Sequence, residues 1–319
     1  MKKLLNICTI LLSLCLLSAS TCSNDDIPIE DVVGKHDVTF KINPQTIIDA
    51  YRYSTHLEYI LGEYNLYDAP GYNLRIKLLI YDKEGLLVTS SEQRLSSYRE
   101  TISFTINLSE GDYHALAICD LIDQSSQKEY WTYKNEDKLS TLELDGSKSK
   151  NLGSAGRIVG FKSKNFTLKS LAESFVCDLE PMGALIYSQF TNIHTNIQQY
   201  LYDKYKQNIN VDYIILYTKN YPSSIRFNSI GGYDISFDNE DGHVYPLTAF
   251  YPDEESKDSF SDIMVVFPTP YMSFGVGAVD DNNYYWTIGE ENTIYEIAPG
   301  DEFLAGMSLQ ARNLLISRY

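Results

Sequence analysis

Between residues 101 and 108 the chain reads Thr-Ile-Ser-Phe-Thr-Ile-Asn-Leu, so every second side chain (Ile102, Phe104, Ile106, Leu108) is large and apolar. Successive side chains of a strand point to opposite faces, so this period fits a strand with one buried face and does not fit a helix. The same rule recurs in Val38, Phe40 and Ile42, and Leu74–Tyr81 is strongly β. Asp82-Lys83-Glu84-Gly85 predicts a tight turn, with Gly85 supplying positive φ, and Leu86–Thr89 returns as the partner strand. After the turn Ser109-Glu110-Gly111-Asp112, Tyr113–Cys119 reads as another strand. A second series is predicted over 175–179, 183–187, 211–217, 233–237, 263–267, 272–279, 284–288 and 303–309. Helix enters at two places only. Ile193, Ile197, Tyr200, Leu201 and Tyr205 have helical spacing, predicting one amphipathic helix over 193–207, and a helical turn is expected within 46–59. Residues 123–156 are polar, with Asp145–Lys150 and Asn151–Gly156 reading as loops. The expected class is all-β.

Composition agrees. The chain has 319 residues, 44% of them hydrophobic, which excludes a disordered chain and suggests about two domains. Tyrosine, at 26 copies against 13 Phe and 2 Trp, suits half-buried strands and wet contact surfaces. The formal charge of −17 argues against nucleic acid, which needs a basic groove, and against an electrostatic hold on anionic lipid.

The first residues read as an address. Lys2 and Lys3 precede an apolar run from Leu4 to Leu17, followed by the small residues Ser18, Ala19, Ser20 and Thr21 and then Cys22. This is the pattern of a bacterial secretory signal over residues 1–21, too short for a spanning helix. A small-residue run ending in Cys resembles a lipobox, whose cysteine receives a diacylglycerol and becomes the mature N-terminus, in the class that also carries palmitate. The match departs at Ala19, where Leu is usual, and at Thr21, where Gly or Ala is usual. The alternative is ordinary cleavage near Ala19 that leaves Cys22 a thiol. Ser23, Asn24, Asp25 and Asp26 then resemble the export signal of Bacteroidetes surface lipoproteins; the plainer reading is a solvated acidic linker. Removing residues 1–21 takes away two lysines and no acid, which moves the charge from −17 to −19. Cys119 and Cys177 then remain, either as one disulfide or, the better expectation, as two small buried hydrophobes.

The two halves echo each other. Leu78–Lys83 aligns with Ile214–Lys219, and Leu108–Asp112 aligns with Ile297–Asp301, each ending in a Gly-Asp turn ahead of a strand. The expected organisation is a signal peptide (1–21), a lipidated N-terminus and linker (22–35), a first β-sandwich (36–160) and a second (161–319), with independent cores split near 155–170. The lipobox and acidic start, the strand 36–42, the hairpin around Tyr81-Asp82-Lys83-Glu84-Gly85 and Leu108-Ser109-Glu110-Gly111-Asp112-Tyr113 together resemble the fimbrillin-associated anchor proteins of Bacteroidetes, the FimB-like group. The resemblance covers residues 19–119 best, and beyond them Cys177–Tyr187 and Ile297–Leu309. It implies two tandem transthyretin-like β-sandwiches on a lipid anchor in the outer membrane, facing outside, with fimbrial subunits as partners in cell adhesion. Its motifs are turns and strands and carry no chemistry.

The search for catalysis and cofactors is empty. His36, His56, His114, His194 and His243 show no ligand spacing with one another or with Cys, so no metal is expected. Gly275-Val276-Gly277 lacks the third glycine and following helix of a dinucleotide site. Asp238–Gly242 misses the calcium-loop spacing and reads as a solvated turn. The chain is read as no enzyme and as needing no cofactor. One aromatic group, Tyr271, Tyr284, Tyr285 and Trp286 around the turn Asp280-Asp281-Asn282-Asn283, is a candidate surface for stacking sugar rings, against ordinary strand aromatics. It supports the competing reading, a glycan-binding lipoprotein of a polysaccharide-uptake system.

Overall fold

The computed structural model describes residues 34–49, 71–146, 159–169, 172–191, 193–219, 221–238, 245–250, 259–267, 269–290, 295–297, 302–308 and 313–318. The protein is all-β. In the first part of the chain the strands are β1 (Lys35–Asn43), β2 (Tyr72–Asp82), β3 (Leu87–Leu95), β4 (Ile102–Ser109), β5 (Gly111–Asp123), β6 (Thr132–Lys134), β7 (Glu143–Asp145), β8 (Gly160–Leu168), β9 (Glu173–Asp178) and β10 (Glu180–Pro181). There follow β11 (Ala184–Thr191), β12 (Val211–Thr218), β13 (Tyr221–Phe227), β14 (Tyr233–Asp238), β15 (Tyr245–Phe250), β16 (Ser259–Val266), β17 (Thr269–Met272), β18 (Phe274–Asp280), β19 (Tyr285–Glu290), β20 (Tyr295–Ile297), β21 (Glu302–Ser308) and β22 (Asn313–Arg318). The helices are α1 (Gln45–Asp49) and α2 (Ile193–Tyr205), with a 3-10 turn at Leu139–Thr141.

In the first half a sheet in the order β4-β1-β9 packs on one in the order β10-β8-β5-β2-β3. Strand β1 is central, antiparallel to β4 with Phe40 opposite Phe104, and parallel to β9 with Phe40 opposite Phe175. The core between the sheets joins Val38, Phe40, Ile42 and Phe104 to Leu74, Ile76, Leu78, Ala117 and Cys119. The alternation over 102–108 is realised, with Ile102, Phe104, Ile106 and Leu108 buried and Ser103, Thr105 and Asn107 exposed. Each such burial contributes roughly 1.5–3 kcal/mol relative to exposure. Cys119 and Cys177 are both free and buried in this core.

Strands β2 and β5 are buried on both faces, which explains their unbroken apolar runs. Ile76, Leu78 and Ile80 face the first core, whereas Leu79 and Tyr81 enter another beside Leu116 and Ile118. On this outer face Arg75 lies directly opposite Asp120 and binds it twice, at 2.9 and 2.7 Å, with both side chains buried. Arg75 also donates to the Trp131 carbonyl at 2.8 Å and pairs with Glu129 at 3.0 Å. Burial pushes the Asp120 carboxyl up while the Arg75 guanidinium opposes it. The pair fastens the segment around Trp131 to the sheet, and losing either partner would strand a buried charge.

The second half repeats the plan. Its sheets run β16-β11-β21-β22 and β15-β12-β18-β19. Strand β11 is antiparallel to β16 and parallel to β21, as β1 is to β4 and β9; β12 is antiparallel to both β15 and β18, as β2 is to β3 and β5. The core contains Ile186, Leu216, Val276 and Ile288. Helix α2 closes it with Ile197 and Leu201, four residues apart on one helical face. Tyr205 Oη and Lys204 Nζ donate to the Thr287 carbonyl at 2.6 and 2.8 Å, fixing the end of α2 on β19.

The strand pairings run across the expected division of the chain. Strand β8 begins at Gly160 and pairs with β5, while β9 and β10 join the first half's two sheets, so first-half pairing runs to Pro181 rather than ending at 160. Within the polar stretch 123–156, β6 and β7 join β13 and β14 in a sheet ordered β14-β13-β7-β6 that draws on both halves. Beneath it lies a third core, with Leu79, Leu116, Trp131 and Leu144 of the first half and Ile225, Phe227 and Phe267 of the second. Trp131 meets Phe267 edge-on at 5.5 Å. This third core joins the halves, while the two inter-sheet cores share no residue. Of the internal repeat, the alignment of Leu78–Lys83 with Ile214–Lys219 matches β2 to β12, but Leu108–Asp112 and Ile297–Asp301 lead into β5 and β21, which lie in non-equivalent sheets.

Candidate functional site

One edge open to another chain is formed by β9. Among the described residues no strand pairs with β9 on the side away from β1. Its sequence, Glu-Ser-Phe-Val-Cys-Asp, buries Cys177 and half-buries Phe175, which packs on Phe40 at 5.5 Å and Phe166 at 5.0 Å, while Lys164 Nζ sits 4.4 Å from its ring centroid. Val176, on the other face, is 61% exposed. The rim thus offers unpaired backbone groups beside an incompletely covered aromatic ring, with Glu173 and Asp178 at its ends. Such an edge accepts an added strand, with backbone groups supplying affinity and alternate side chains supplying selectivity. In the second half the corresponding strand β21 is already covered by β22, through six register pairs from Phe303↔Arg318 to Ser308↔Asn313.

Cys22, Ser23, Asn24, Asp25 and Asp26 lie outside the described residues. Among the described residues no helix is long and apolar enough to cross a membrane. The aromatic group near residue 280 is dispersed. Tyr271 lies on β17, Tyr284 is exposed in the β18–β19 turn, and Tyr285 and Trp286 follow on β19. Tyr285 packs edge-on against Tyr217 at 5.4 Å, and Trp286 packs on Tyr205 at 5.1 Å from the opposite face. Trp286 Nε1 donates to Asp280 Oδ2 at 2.9 Å. Burial works to raise the Asp280 carboxyl, but this bond and those from the Tyr284 and Asn282 backbone prevail and hold it below the usual carboxylate range. Gly275 and Gly277 explain the packing: an added Cβ would sit 2.1 Å from the Tyr217 ring and 2.0 Å from that of Tyr285. That glycine pair was the available signal that these rings serve the interior.

Among the described residues no group of three His, Cys, Asp or Glu could hold a metal. His36 Nε2 is 3.6 Å from Glu110, His194 lies on α2, and His56 and His243, like residues 239–242 of the turn Asp238–Gly242, lie outside the described residues. His114 on β5 is buried, and burial lowers its pKa while its bond to Asn165 opposes that.

No protein-family description matches the chain, and no curated protein does. Solved structures similar to it include one described as a candidate polysaccharide-binding protein from Bacteroides thetaiotaomicron (TM-score 0.48, 11% identity, 90% of this chain and 98% of that one). Another is the fimbrial anchor protein Mfa2 from Porphyromonas gingivalis (TM-score 0.47, 12% identity, 88% and 95%). A third is a candidate adhesin from Bacteroides thetaiotaomicron (TM-score 0.48, 9% identity, 90% and 96%). With about a tenth of residues identical and TM-scores below 0.5, no residue role is carried over from them.

Proposed function

We propose that this chain is a lipid-anchored protein of the outer-membrane surface that anchors or caps a fimbrium, and that it receives a strand of a neighbouring subunit along β9. The observation that carries the reading is the contrast between β9, six residues long and unpaired on one side among the described residues, and β21, covered by the six-residue strand β22. A strand resembling β22 matches the acceptor in length. It matches in charge as well, since Arg312 and Arg318 bracket β22 in sequence while Glu173 and Asp178 end β9. The lipobox-like start at Cys22 and the acidic Asp25-Asp26 supply the anchor and its outward address.

Deleting the protein should leave fimbriae shed into the medium or abnormal in length, seen by electron microscopy of cells and supernatant. Cys22→Ala should leave the protein soluble or unprocessed and reproduce the shedding. Normal fimbriae in the deletion strain, together with lost binding to a polysaccharide, would replace this reading with the glycan-binding one.

A further inference from the structure

An open cleft of about 500 Å³ lies at one end of the five-stranded sheet, between the β2–β3 turn, the paired strands β5 and β8, and the β13–β14 turn. Its volume falls within the range of small-molecule sites, roughly 300–1,000 Å³. The polar groups that line it are held from behind. Asp82 Oδ1 accepts the backbone N–H groups of Glu84 and Leu86, both at 2.9 Å, which leaves Oδ2. Asp112 Oδ1 accepts from Thr167 Oγ1 at 2.6 Å, which again leaves Oδ2. Asn165 Oδ1 accepts from His114 Nδ1 at 2.6 Å; the His114 ring, 6% exposed, is fixed on its other side by Ser163 Oγ at 3.0 Å. That leaves Asn165 Nδ2 without a partner among the described residues. Lys83 and Ser229 add a cation and a hydroxyl, while Leu139 and the Tyr113 ring, stacked on Phe166 at 5.5 Å, add apolar surface.

This inventory selects the ligand. An anion would meet two carboxylates. A cation would satisfy those carboxylates but face the Asn165 amide and the Lys83 ammonium, which only donate. A hydroxyl both donates and accepts, so a ring of hydroxyls can satisfy carboxylate and amide together, with its C–H face against Tyr113 and Leu139. We propose that the cleft binds a neutral sugar unit of a saccharide. The site is distinct from the Tyr284–Trp286 region and does not depend on strand addition at β9.

The test is electrophoresis of the folded chain through gels containing dextran, mannan or galactan. Ser229→Trp, at an exposed turn position, would plug the cleft without entering a core; Asp112→Ala would remove a carboxylate; Tyr284→Ala is the control. At least one polysaccharide should retard the parent protein. Both cleft variants should lose about tenfold or more in affinity, with little change in unfolding temperature, and the control should behave as the parent. No retardation by any of the three would overturn the proposal. So would retardation that survives both cleft variants, or that is lost only in Tyr284→Ala. If polylysine or inorganic phosphate binds in place of the polysaccharides and Ser229→Trp abolishes it, the cleft is real but the ligand class is wrong.

Discussion

Strands β9 and β21 occupy the same position in the two halves, each parallel to the strand that opens its half. One is covered by β22; the other has no second partner strand among the described residues. The halves therefore share a folding plan and differ in how they end a sheet. The second half covers the equivalent position with one more strand, which moves the edge outward to β22. The first half carries only Glu173 and Asp178 at the ends of β9, a weaker guard that deters casual pairing and leaves the edge usable. Interior packing does not account for the difference, because both cores are built from the same central pairings.

If the halves are equivalent in their interiors, equivalent truncations should cost similar amounts. Phe104→Ala in the first core should destabilise by roughly 3–5 kcal/mol and Leu216→Ala in the second by roughly 2–5 kcal/mol, measured by denaturant unfolding. Thr105→Ala, one residue from Phe104 and exposed, should stay within about 0.5 kcal/mol. A large loss at Thr105 would mean the register of β4 is wrong; a small loss at Leu216 would mean the second core is looser than the first.

The next test asks whether the halves are joined rather than merely alike. Gly231, in the β13–β14 turn at φ +76°, presses on the first half: an added Cβ would lie 1.9 Å from Ser163 Oγ and 2.6 Å from the His114 ring. Gly231→Ala combines a left-handed backbone with that overlap and should cost roughly 1–3 kcal/mol, with loss of a single cooperative transition. An unchanged, single transition would show that the turn can lift away freely.

The smallest effect is a pH dependence at the same junction. Because burial lowers the His114 pKa, the unfolded chain binds the proton more readily than the folded one. Stability from this residue is complete above the unfolded value of about 6.5 and falls as pH drops through it towards the lowered folded value. His114→Gln should flatten the fall in melting temperature between about pH 7 and about pH 5. An unaltered slope would assign the acid sensitivity to other groups.

Much of this architecture was legible where one strand carried its own signal. The alternation of Ile102, Phe104, Ile106 and Leu108 and the double-sided run Leu78–Tyr81 each declare their burial locally. Strands β6, β7 and β13 were not legible, because segments of three to seven largely polar residues owe their conformation to partner strands. The Gly-Asp turns misled for the same reason: a turn fixes its own geometry and says nothing about which sheet receives the next strand. The cleft escaped entirely, since Asp82, Asp112, Asn165 and Ser229 come from four separate stretches that only the sheet brings together. The tyrosine and tryptophan near residue 285 had the right composition for a sugar platform, but Tyr285 packs over Gly277 against Tyr217, and Trp286 packs on Tyr205 from the opposite face.

One consequence of the topology is mechanical. Lys35 begins β1, the central strand of its sheet, which is held along its length by eight register pairs with β4 and six with β9. Tension applied to the N-terminal end acts along that strand, so it loads both ladders in shear and must break many backbone hydrogen bonds together. An edge strand pulled from one end would peel, losing its bonds one after another at far lower force. A tether attached ahead of residue 35 therefore grips the fold at the position where its sheet resists pulling best.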